Sequence, residues 1–164
     1  MFIKELKLKN FRNYSDLSID FDERVNLITG QNAQGKTNLL EAISYLGSGK
    51  SFRAMKTSEM VRFGADFADI EGEVFSQERH QILRWVLFHG SRPRQIWRNG
   101  AKKKTAGDIA GVLPTVLFCP EDLMVLKAGA AGRRRLADGA LCQLRPNYEA
   151  ALAKKASTDS AAAS

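Results

Sequence analysis

The sequence has no long apolar run and few cysteines or histidines. No stretch of its 164 residues approaches the roughly 20 consecutive apolar residues that a membrane-spanning helix needs. The start, MFIKELKLKNF, lacks the apolar core of a signal peptide, so we expect a cytoplasmic protein with no membrane partner. Cys119 and Cys142 lie among apolar neighbours and are expected to be reduced thiols. His80 and His89 have no carboxylate or cysteine cluster around them, which argues against a metal site there.

Acidic residues are missing from one long stretch of the chain. Residues 79–104 contain eight arginines and lysines and no aspartate or glutamate, whereas the net charge of the whole chain is +7. A surplus of positive charge concentrated in this way favours a polyanionic partner.

Hydrophobic periodicity predicts a mixture of strands and helices. Half-buried strands are predicted over residues 2–8, with Phe2, Leu6 and Leu8 facing inward, over 17–21, over 69–74, and on both sides of an Asn99-Gly100 hairpin turn. Compact apolar strands are predicted from Val25 to Thr29 and from Thr115 to Cys119. Helices are predicted over 36–46 with a stop at Gly47, over 57–64, from Pro120 onward, over 132–144 and over 148–156.

A phosphate-binding motif stands between a predicted strand and a predicted helix. Residues 30–37, GQNAQGKT, match G-x-x-x-x-G-K-[ST] without deviation. Its glycines let successive backbone N–H groups converge on one anion, and the helix N-terminus adds partial positive charge. We expect Lys36 to bridge the outer phosphates of a nucleotide and the Thr37 hydroxyl to bind Mg²⁺. The predicted nucleotide-binding residues are Gly30, Gln31, Asn32, Ala33, Gln34, Gly35, Lys36 and Thr37.

Three other segments resemble nucleotide-site motifs only in part. Residues 47–51, GSGKS, follow a helix where a strand is required. Asp69 begins a D-x-x-G pattern, but the chain has no N-K-x-D motif, and a strand explains the segment better. Glu121 and Asp122 follow an apolar run as in a Walker B strand, but Pro120 displaces them into the next helix. No catalytic residue is therefore assigned, because hydrolysis needs an acid for Mg²⁺ and a group that positions water.

The front of the chain resembles the RecF family of SMC/ABC-type ATPases. The run LKLKNFRNYSDLSIDFDERVNLITGQNAQGKTNLLEAISYLGSGKSFR carries an Asn-Phe-Arg-Asn-Tyr segment, the phosphate loop and GKSFR in the order typical of that family. LFCPEDL and GRRRLADGAL resemble later segments, although Leu-Ala-Asp stands where the family more often has Phe-Leu-Asp. The likeness covers about residues 1–153.

This resemblance implies an α/β fold of the P-loop NTPase class. The fold would be lobe I of an ABC/SMC-like ATPase head, with an antiparallel β subdomain and the start of a helical lobe. We expect a nucleotide-binding lobe over 1–119, a helical segment over 120–155 and a flexible tail over 156–164, which is built from small residues. The chain would be an N-terminal fragment, with the family's signature and Walker B motifs beyond Lys155.

The resemblance also implies a function in DNA repair, replication and recombination. A RecF-like protein would bind ATP and Mg²⁺, bind double-stranded DNA as an ATP-dependent homodimer, and help to load recombinase at gaps with RecR. It would be an ATPase at full length, whereas this fragment is expected to hydrolyse ATP poorly or not at all. Arg12 would reach the nucleotide phosphates; the alternative is a surface arginine in a turn. The candidate contacts to DNA phosphates are Arg92, Arg94, Arg98, Lys102, Lys103 and Lys104.

Two other functions remain open at this point. One is a non-catalytic DNA-binding module with a vestigial nucleotide site. The other is a small-molecule P-loop kinase, which would need a substrate lid and an acceptor site that we do not find in the sequence. We expect Trp85 and Trp97 to pack in the core or the hairpin, because duplex DNA offers no unstacked base on which they could stack.

Overall fold

Antiparallel strands form one sheet that dominates the described structure. The computed structural model describes residues 1–76, 79–118, 129–145, 147–148 and 151–152. The strands are β1 (Phe2–Phe11), β2 (Tyr14–Asp20), β3 (Phe67–Ser76), β4 (Arg79–Phe88), β5 (Gln95–Arg98) and β6 (Ala101–Lys103). They lie in the order β2-β1-β3-β4-β5-β6, and each neighbouring pair is antiparallel. The helices are α1 (Lys36–Ser48) and α2 (Gly129–Leu144), with 3₁₀ turns at Thr57–Met60 and Ala106–Ile109.

Two tight hairpins are present, and the second contains the predicted Asn99-Gly100 turn. β1 and β2 pair up to Phe11 and Tyr14, so the chain reverses within two residues. Asn99 and Gly100 join β5 to β6 with positive φ angles of 51° and 75°. Two consecutive residues of this kind suit the tight turn whose twist matches that of the flanking strands. Local turn chemistry therefore fixes the register of the β5–β6 hairpin.

The predicted inward face of β1 is right at Leu6 and Leu8 and wrong at Phe2. Leu6 and Leu8 are buried, but the pairing of β1 with β3 is irregular just after Ile3. Ile3, only 9% exposed, takes the core position instead. Phe2 stays half-buried and stacks on the ring of Phe75, with 5.8 Å between the ring centroids. A bulge of this kind changes which side chains face inward, and simple alternation does not anticipate it.

Helix α1 packs across one face of the sheet. Its buried apolar residues are Leu39, Ala42, Tyr45 and Leu46, whereas Leu40 is 41% exposed. The helix lies so close to β3 that a Cβ atom on Gly72 would stand 2.2 Å from Leu46 Cδ2. Any residue with a Cβ atom at this point of the strand would displace the Leu46 side chain.

Two segments predicted as strands, 25–29 and 115–119, are not strands where they are described. Val25 is 81% exposed, Leu27 86% and Val116 100%. A strand exists only when a neighbour accepts and donates its backbone hydrogen bonds. Within the described ranges no strand pairs with residues 25–29 or 115–118. Cys119 lies outside the described residues.

The predicted helices that the structure describes lie at the predicted positions in the chain, but their lengths differ from the prediction. α1 runs through Gly47 to Ser48 and ends at Gly49, which has a left-handed φ of 65°. The segment 57–64 forms only the 3₁₀ turn Thr57–Met60. The helix predicted over 132–144 is confirmed within α2. The helix predicted from Pro120, most of residues 148–156 and the tail lie outside the described residues. No helix in the described ranges is long and apolar enough to cross a bilayer.

Candidate nucleotide site

The phosphate loop wraps the N-terminus of α1. Residues 30–34 are exposed, whereas Gly35 is buried. Three residues of the loop have positive φ angles: Gly30 at 148°, Ala33 at 67° and Gly35 at 108°. Left-handed turns ahead of a helix can direct successive backbone N–H groups toward one anion. The predicted residues Gly30–Gly35 thus form the loop, and Lys36 and Thr37 are the first two residues of α1.

The N-terminus of α1 suits an anionic ligand. The first N–H groups of a helix lack intrahelical acceptors, and a side-chain cap usually satisfies one of them. In the described structure α1 has no side-chain cap and no acidic residue in its first turn. Because neither a side-chain cap nor a first-turn acid neutralises the partial positive charge at this end of the helix, that charge can stabilise a bound anion.

Lys36 reaches back across the loop. Its Nζ donates to the carbonyl oxygens of Gly30 and Gln31, both at 2.6 Å. The Gln34 side chain accepts a hydrogen bond from the Gln31 N–H at 3.1 Å. These contacts place an ammonium group beside the backbone of the loop. Thr37, one position further along α1, is exposed and leaves its hydroxyl accessible.

The turn between β1 and β2 packs against the loop. Asn13 Nδ2 donates to the carbonyl of Gln34 at 3.1 Å. A Cβ atom on Gly35 would stand 2.7 Å from Asn13 Nδ2 and 2.9 Å from Tyr14 Oη. Gly35 is thus required both by its φ angle and by its neighbours. Burial raises the pKa of Tyr14, so its hydroxyl stays protonated beside the loop.

Arg12 is held by a buried carboxylate that our sequence analysis missed. Glu41 Oε2 accepts from Arg12 Nε at 2.8 Å, and Glu41 Oε1 accepts from Arg12 Nη2 at 2.7 Å. Arg12 Nη1 also donates to the carbonyl of Glu59 at 2.7 Å. The Arg12 side chain is 18% exposed and that of Glu41 is 0% exposed. Arg12 therefore lies in the β1–β2 turn with its side chain held in place by Glu41 and the carbonyl of Glu59.

The charge state of Glu41 follows from these contacts. Burial by itself would raise the pKa of Glu41, but hydrogen bonds from Arg12 and Ser51 and the positive charge of Arg12 lower it below its ordinary value. One sequence signal was available: Glu41 is the only acid in α1 and stands among the residues of its buried side. A lone carboxylate at such a position requires a cationic partner.

An open groove of about 840 Å³ lies beside the phosphate loop. Arg53 Nη1 donates to Asn38 Oδ1 at 3.1 Å, and Asn38 Nδ2 donates to Asn13 Oδ1 at 2.8 Å. Through Asn13 this hydrogen-bonded chain reaches the loop carbonyl of Gln34. The groove lining includes Arg12, Asn13, Asn38, Arg53, Arg62 and His89. Three arginines of the lining stand with two acids, Glu59 and Asp66, and the groove is connected to the phosphate loop through Asn13.

One of the predicted DNA contacts, Arg94, is turned toward the protein. Its Nη1 donates to Tyr45 Oη at 2.8 Å and to the carbonyl of Gly49 at 2.5 Å. Its guanidinium lies 4.9 Å from the centre of the Trp85 ring. These contacts hold the C-terminal end of α1 against the sheet. The orientation of the Arg94 side chain is therefore explained by packing within the protein.

The other predicted DNA contacts lie on the β4–β6 side of the sheet. Lys102 and Lys104 are exposed, and Lys103 is half-buried. Arg92 is exposed, and Arg98 is half-buried with its Nε 2.6 Å from the Gln81 side chain. Among these predicted contacts the exposed cations are Arg92, Lys102 and Lys104.

The two tryptophans have the packing roles that we predicted. Trp85 is fully buried, and its Nε1 donates to the carbonyl of Leu46 at 3.1 Å. Trp97 is half-buried on the sheet face opposite α1. The centre of its ring lies 5.5 Å from the Arg84 guanidinium and 5.8 Å from Lys102 Nζ. The strand register gives a row across the sheet formed by Lys7, Glu71, Arg84, Trp97 and Lys102.

The structure decides how to interpret those partial motifs whose residues it describes. Asp69 lies in β3 and pairs with Val86, which confirms the strand interpretation of D-x-x-G. Residues 47–51 span the end of α1 and the loop that follows it, not a strand, loop and helix. Glu121 and Asp122 lie outside the described residues. Within the part of the chain that is described, no cluster of three histidines, cysteines or acids could hold a metal ion.

Residues 5–110 match the AAA domain family, which is more than half of the chain. The chain belongs to the AAA domain family. Its AAA domain is similar to the DNA replication and repair protein RecF of Bacillus thuringiensis (strain Al Hakam), with 40% identity over 148 residues. RecF of Bacillus cereus (strain B4264) is also 40% identical. In both comparisons the match covers 90% of this chain and 39% of the relative, so the chain spans about two-fifths of the length of these proteins.

Solved structures support the same relationship for this AAA domain. The recombination mediator protein RecF-ATP of the RecFOR pathway aligns with a TM-score of 0.87 and 38% identity, over 96% of this chain and 43% of that one. The SMC head domain from Thermotoga maritima aligns with a TM-score of 0.56 and 25% identity, over 66% of this chain and 41% of that one. The predicted resemblance to RecF and the predicted ABC/SMC-like head fold are therefore confirmed.

Proposed function

We propose that this chain is the ATP-binding lobe of a RecF-like DNA replication and repair ATPase. The observation that carries the proposal is the phosphate loop, in which the Lys36 ammonium, three positive φ angles and an uncapped helix N-terminus occur together. Charge and donors of this kind suit a polyphosphate. The similarity to RecF-ATP supports ATP as the nucleotide whose polyphosphate would bind there.

The loop has the chemical groups that a nucleoside triphosphate and Mg²⁺ require. Backbone N–H groups of the loop would donate to phosphate oxygens, Lys36 would neutralise the outer phosphates, and Asn32 would approach the terminal one. The Thr37 hydroxyl offers the hard oxygen ligand that Mg²⁺ prefers. When bound, Mg²⁺ would neutralise charge on the outer phosphates. Arg12 would add positive charge from the neighbouring groove.

We infer that this chain alone hydrolyses ATP poorly or not at all. Its sequence has no L-S-G-G-like run, and hydrolysis needs an acid at the metal and a residue that positions water. In the family that the chain resembles, two heads sandwich ATP and each supplies its signature motif to the other. The whole protein would accordingly act as an ATP-dependent homodimer on double-stranded DNA, together with RecR.

Magnesium is expected to tighten nucleotide binding through Thr37. In wild type, binding of a fluorescent ATP analogue should be at least about fivefold tighter in millimolar Mg²⁺ than in EDTA, a difference of about 1 kcal/mol. Thr37→Val should lose most of this gain, because valine keeps the shape and removes the oxygen. Thr57→Val, in the 3₁₀ turn Thr57–Met60, is the control. Equal magnesium dependence in all three proteins would remove Thr37 from the metal site.

Binding of duplex DNA is expected to depend on salt and on the hairpin lysines. Replacing Lys102, Lys103 and Lys104 together with glutamine should weaken binding and lower the slope of log affinity against log salt by about 0.9 for each phosphate that is no longer neutralised. Fluorescence anisotropy with two unrelated duplexes measures both quantities. The two duplexes should behave alike, because phosphate contacts carry no sequence information.

A matched control removes the same charge from another strand. Lys4, Lys7 and Lys9 are exposed on β1. Their triple glutamine variant should retain more DNA affinity than the hairpin variant at every salt concentration. If both variants bind like wild type and salt has no effect, the basic stretch is a solvated edge without a DNA contact.

A further inference from the structure

A single buried carboxylate connects two separate segments of the candidate site. Glu41 Oε1 accepts from Ser51 Oγ at 2.5 Å in addition to its two bonds from Arg12. Ser51 Oγ in turn accepts from the backbone N–H groups of Arg53 at 3.0 Å and Ala54 at 2.7 Å. Glu41 thus anchors the turn that presents Arg53 as well as the side chain of Arg12.

The two arginines held in this way line the same groove. Arg12 and Arg53 both border it, together with Asn13 and Asn38, which connect it to the phosphate loop. Glu41 lies on α1, the same helix whose N-terminus receives the loop. The helix therefore sets the position of both the loop and the two guanidiniums relative to one another.

The contacts of Arg12 leave part of its guanidinium for a ligand. Its Nε, Nη1 and Nη2 each donate once to the protein, whereas a guanidinium has five N–H donors. The backbone adds a further constraint, because Arg12 has a left-handed φ of 53° and its N–H donates to the carbonyl of Met60 at 2.8 Å. Both its main chain and its side chain are fixed before any ligand arrives, which lowers the cost of ordering them on binding.

We propose that Glu41 is a positioning residue of the nucleotide site, which fixes the Arg12 and Arg53 guanidiniums in the groove so that they face the phosphates that the loop holds. This inference rests on the proposed ATP-binding function. Glu41 itself does not touch the nucleotide. It acts through Arg12 directly and through the Ser51 turn for Arg53.

The test is a double-mutant cycle on nucleotide affinity. Glu41→Gln should weaken binding of a fluorescent ATP analogue by about tenfold, equivalent to the loss of one charge-assisted hydrogen bond. In an Arg12→Ala background the same change should have a smaller effect, at most about threefold to fivefold, because only the route through Ser51 to Arg53 remains. A purely structural role would weaken binding by the same factor in both backgrounds. Glu73→Gln, the same charge change in β3, is the control and should bind like wild type.

A milder variant keeps the test informative if Glu41→Gln does not fold. Ser51→Ala leaves the Arg12–Glu41 pair intact and removes the acceptor that shapes the turn before Arg53. It should weaken binding of the analogue by about threefold to fivefold, less than Glu41→Gln. If Glu41→Gln folds and binds the analogue like wild type, the positioning role is wrong. If Glu41→Gln does not fold, wild-type affinity of Ser51→Ala has the same meaning. Neither result would contradict the proposed ATP site. A wild-type chain that binds no nucleotide would overturn the proposed function itself.

Discussion

Replacing Lys36 with alanine is expected to weaken binding of a fluorescent ATP analogue by about a hundredfold. Charge-assisted hydrogen bonds contribute about 1.5–3 kcal/mol each, so the loss of one strong bond or two weaker ones gives this factor. Lys36 also bonds the carbonyls of Gly30 and Gln31, so its removal loosens the loop as well as removing the charge. Fluorescence titration in magnesium at constant ionic strength measures the change.

The control for Lys36→Ala is a lysine of equal charge away from the loop. Lys9 is exposed on β1, and Lys9→Ala should bind the analogue like wild type. Thermal unfolding of both variants shows whether either has lost its fold. Equal affinity of wild type and Lys36→Ala, with both folded, would favour the alternative of a DNA-binding module with a vestigial nucleotide site.

Replacing Trp85 with alanine is expected to reduce the free energy of unfolding by about 3–5 kcal/mol, the usual range for a large buried aromatic. Trp85 is fully buried, its ring meets that of Tyr45 edge-on at 5.2 Å, and Arg94 lies over it. The substitution would leave a cavity between α1 and the sheet and deprive the carbonyl of Leu46 of a donor. Urea denaturation followed by circular dichroism measures the loss.

The second tryptophan supplies a matched comparison. Trp97 is half-buried on the opposite face of the sheet, where its contacts are to the long side chains of Arg84 and Lys102. Trp97→Ala should reduce the free energy of unfolding by about 1 kcal/mol or less. Similar losses for the two variants would contradict the assignment of Trp85 to the core and Trp97 to the surface.

Features that depend on neighbouring residues were predicted well. The phosphate loop, the start of α1 and the Asn99-Gly100 turn each follow from residue types within a few positions of one another. A turn or a helix start whose contacts are made by residues close together in sequence can be deduced from those residues.

Features that depend on distant partners were not predicted. Residues 25–29 have the composition of a strand, but composition does not reveal whether another strand lies beside them. Glu41 and Arg12 are 29 positions apart, and nothing in either local sequence identifies the other. The bulge after Ile3 likewise depends on the register against β3. In each case tertiary contact overrides the local pattern.

The cross-strand row that ends at Lys102 belongs to a sheet face with an uneven distribution of charge. On this face β3 carries Asp69, Glu71 and Glu73 beside Lys7 and Lys9 of β1, while the β4–β6 side carries Arg84 and Lys102. The three acids of β3 outnumber the two lysines of β1, so on this face negative charge is concentrated at β3 and positive charge on the β4–β6 side. A polyanion approaching from solution would rotate the molecule until the hairpin side leads, which raises the rate of productive encounters without adding a contact. Added salt abolishes this orientation beyond a Debye length of about 10 Å at 0.1 M.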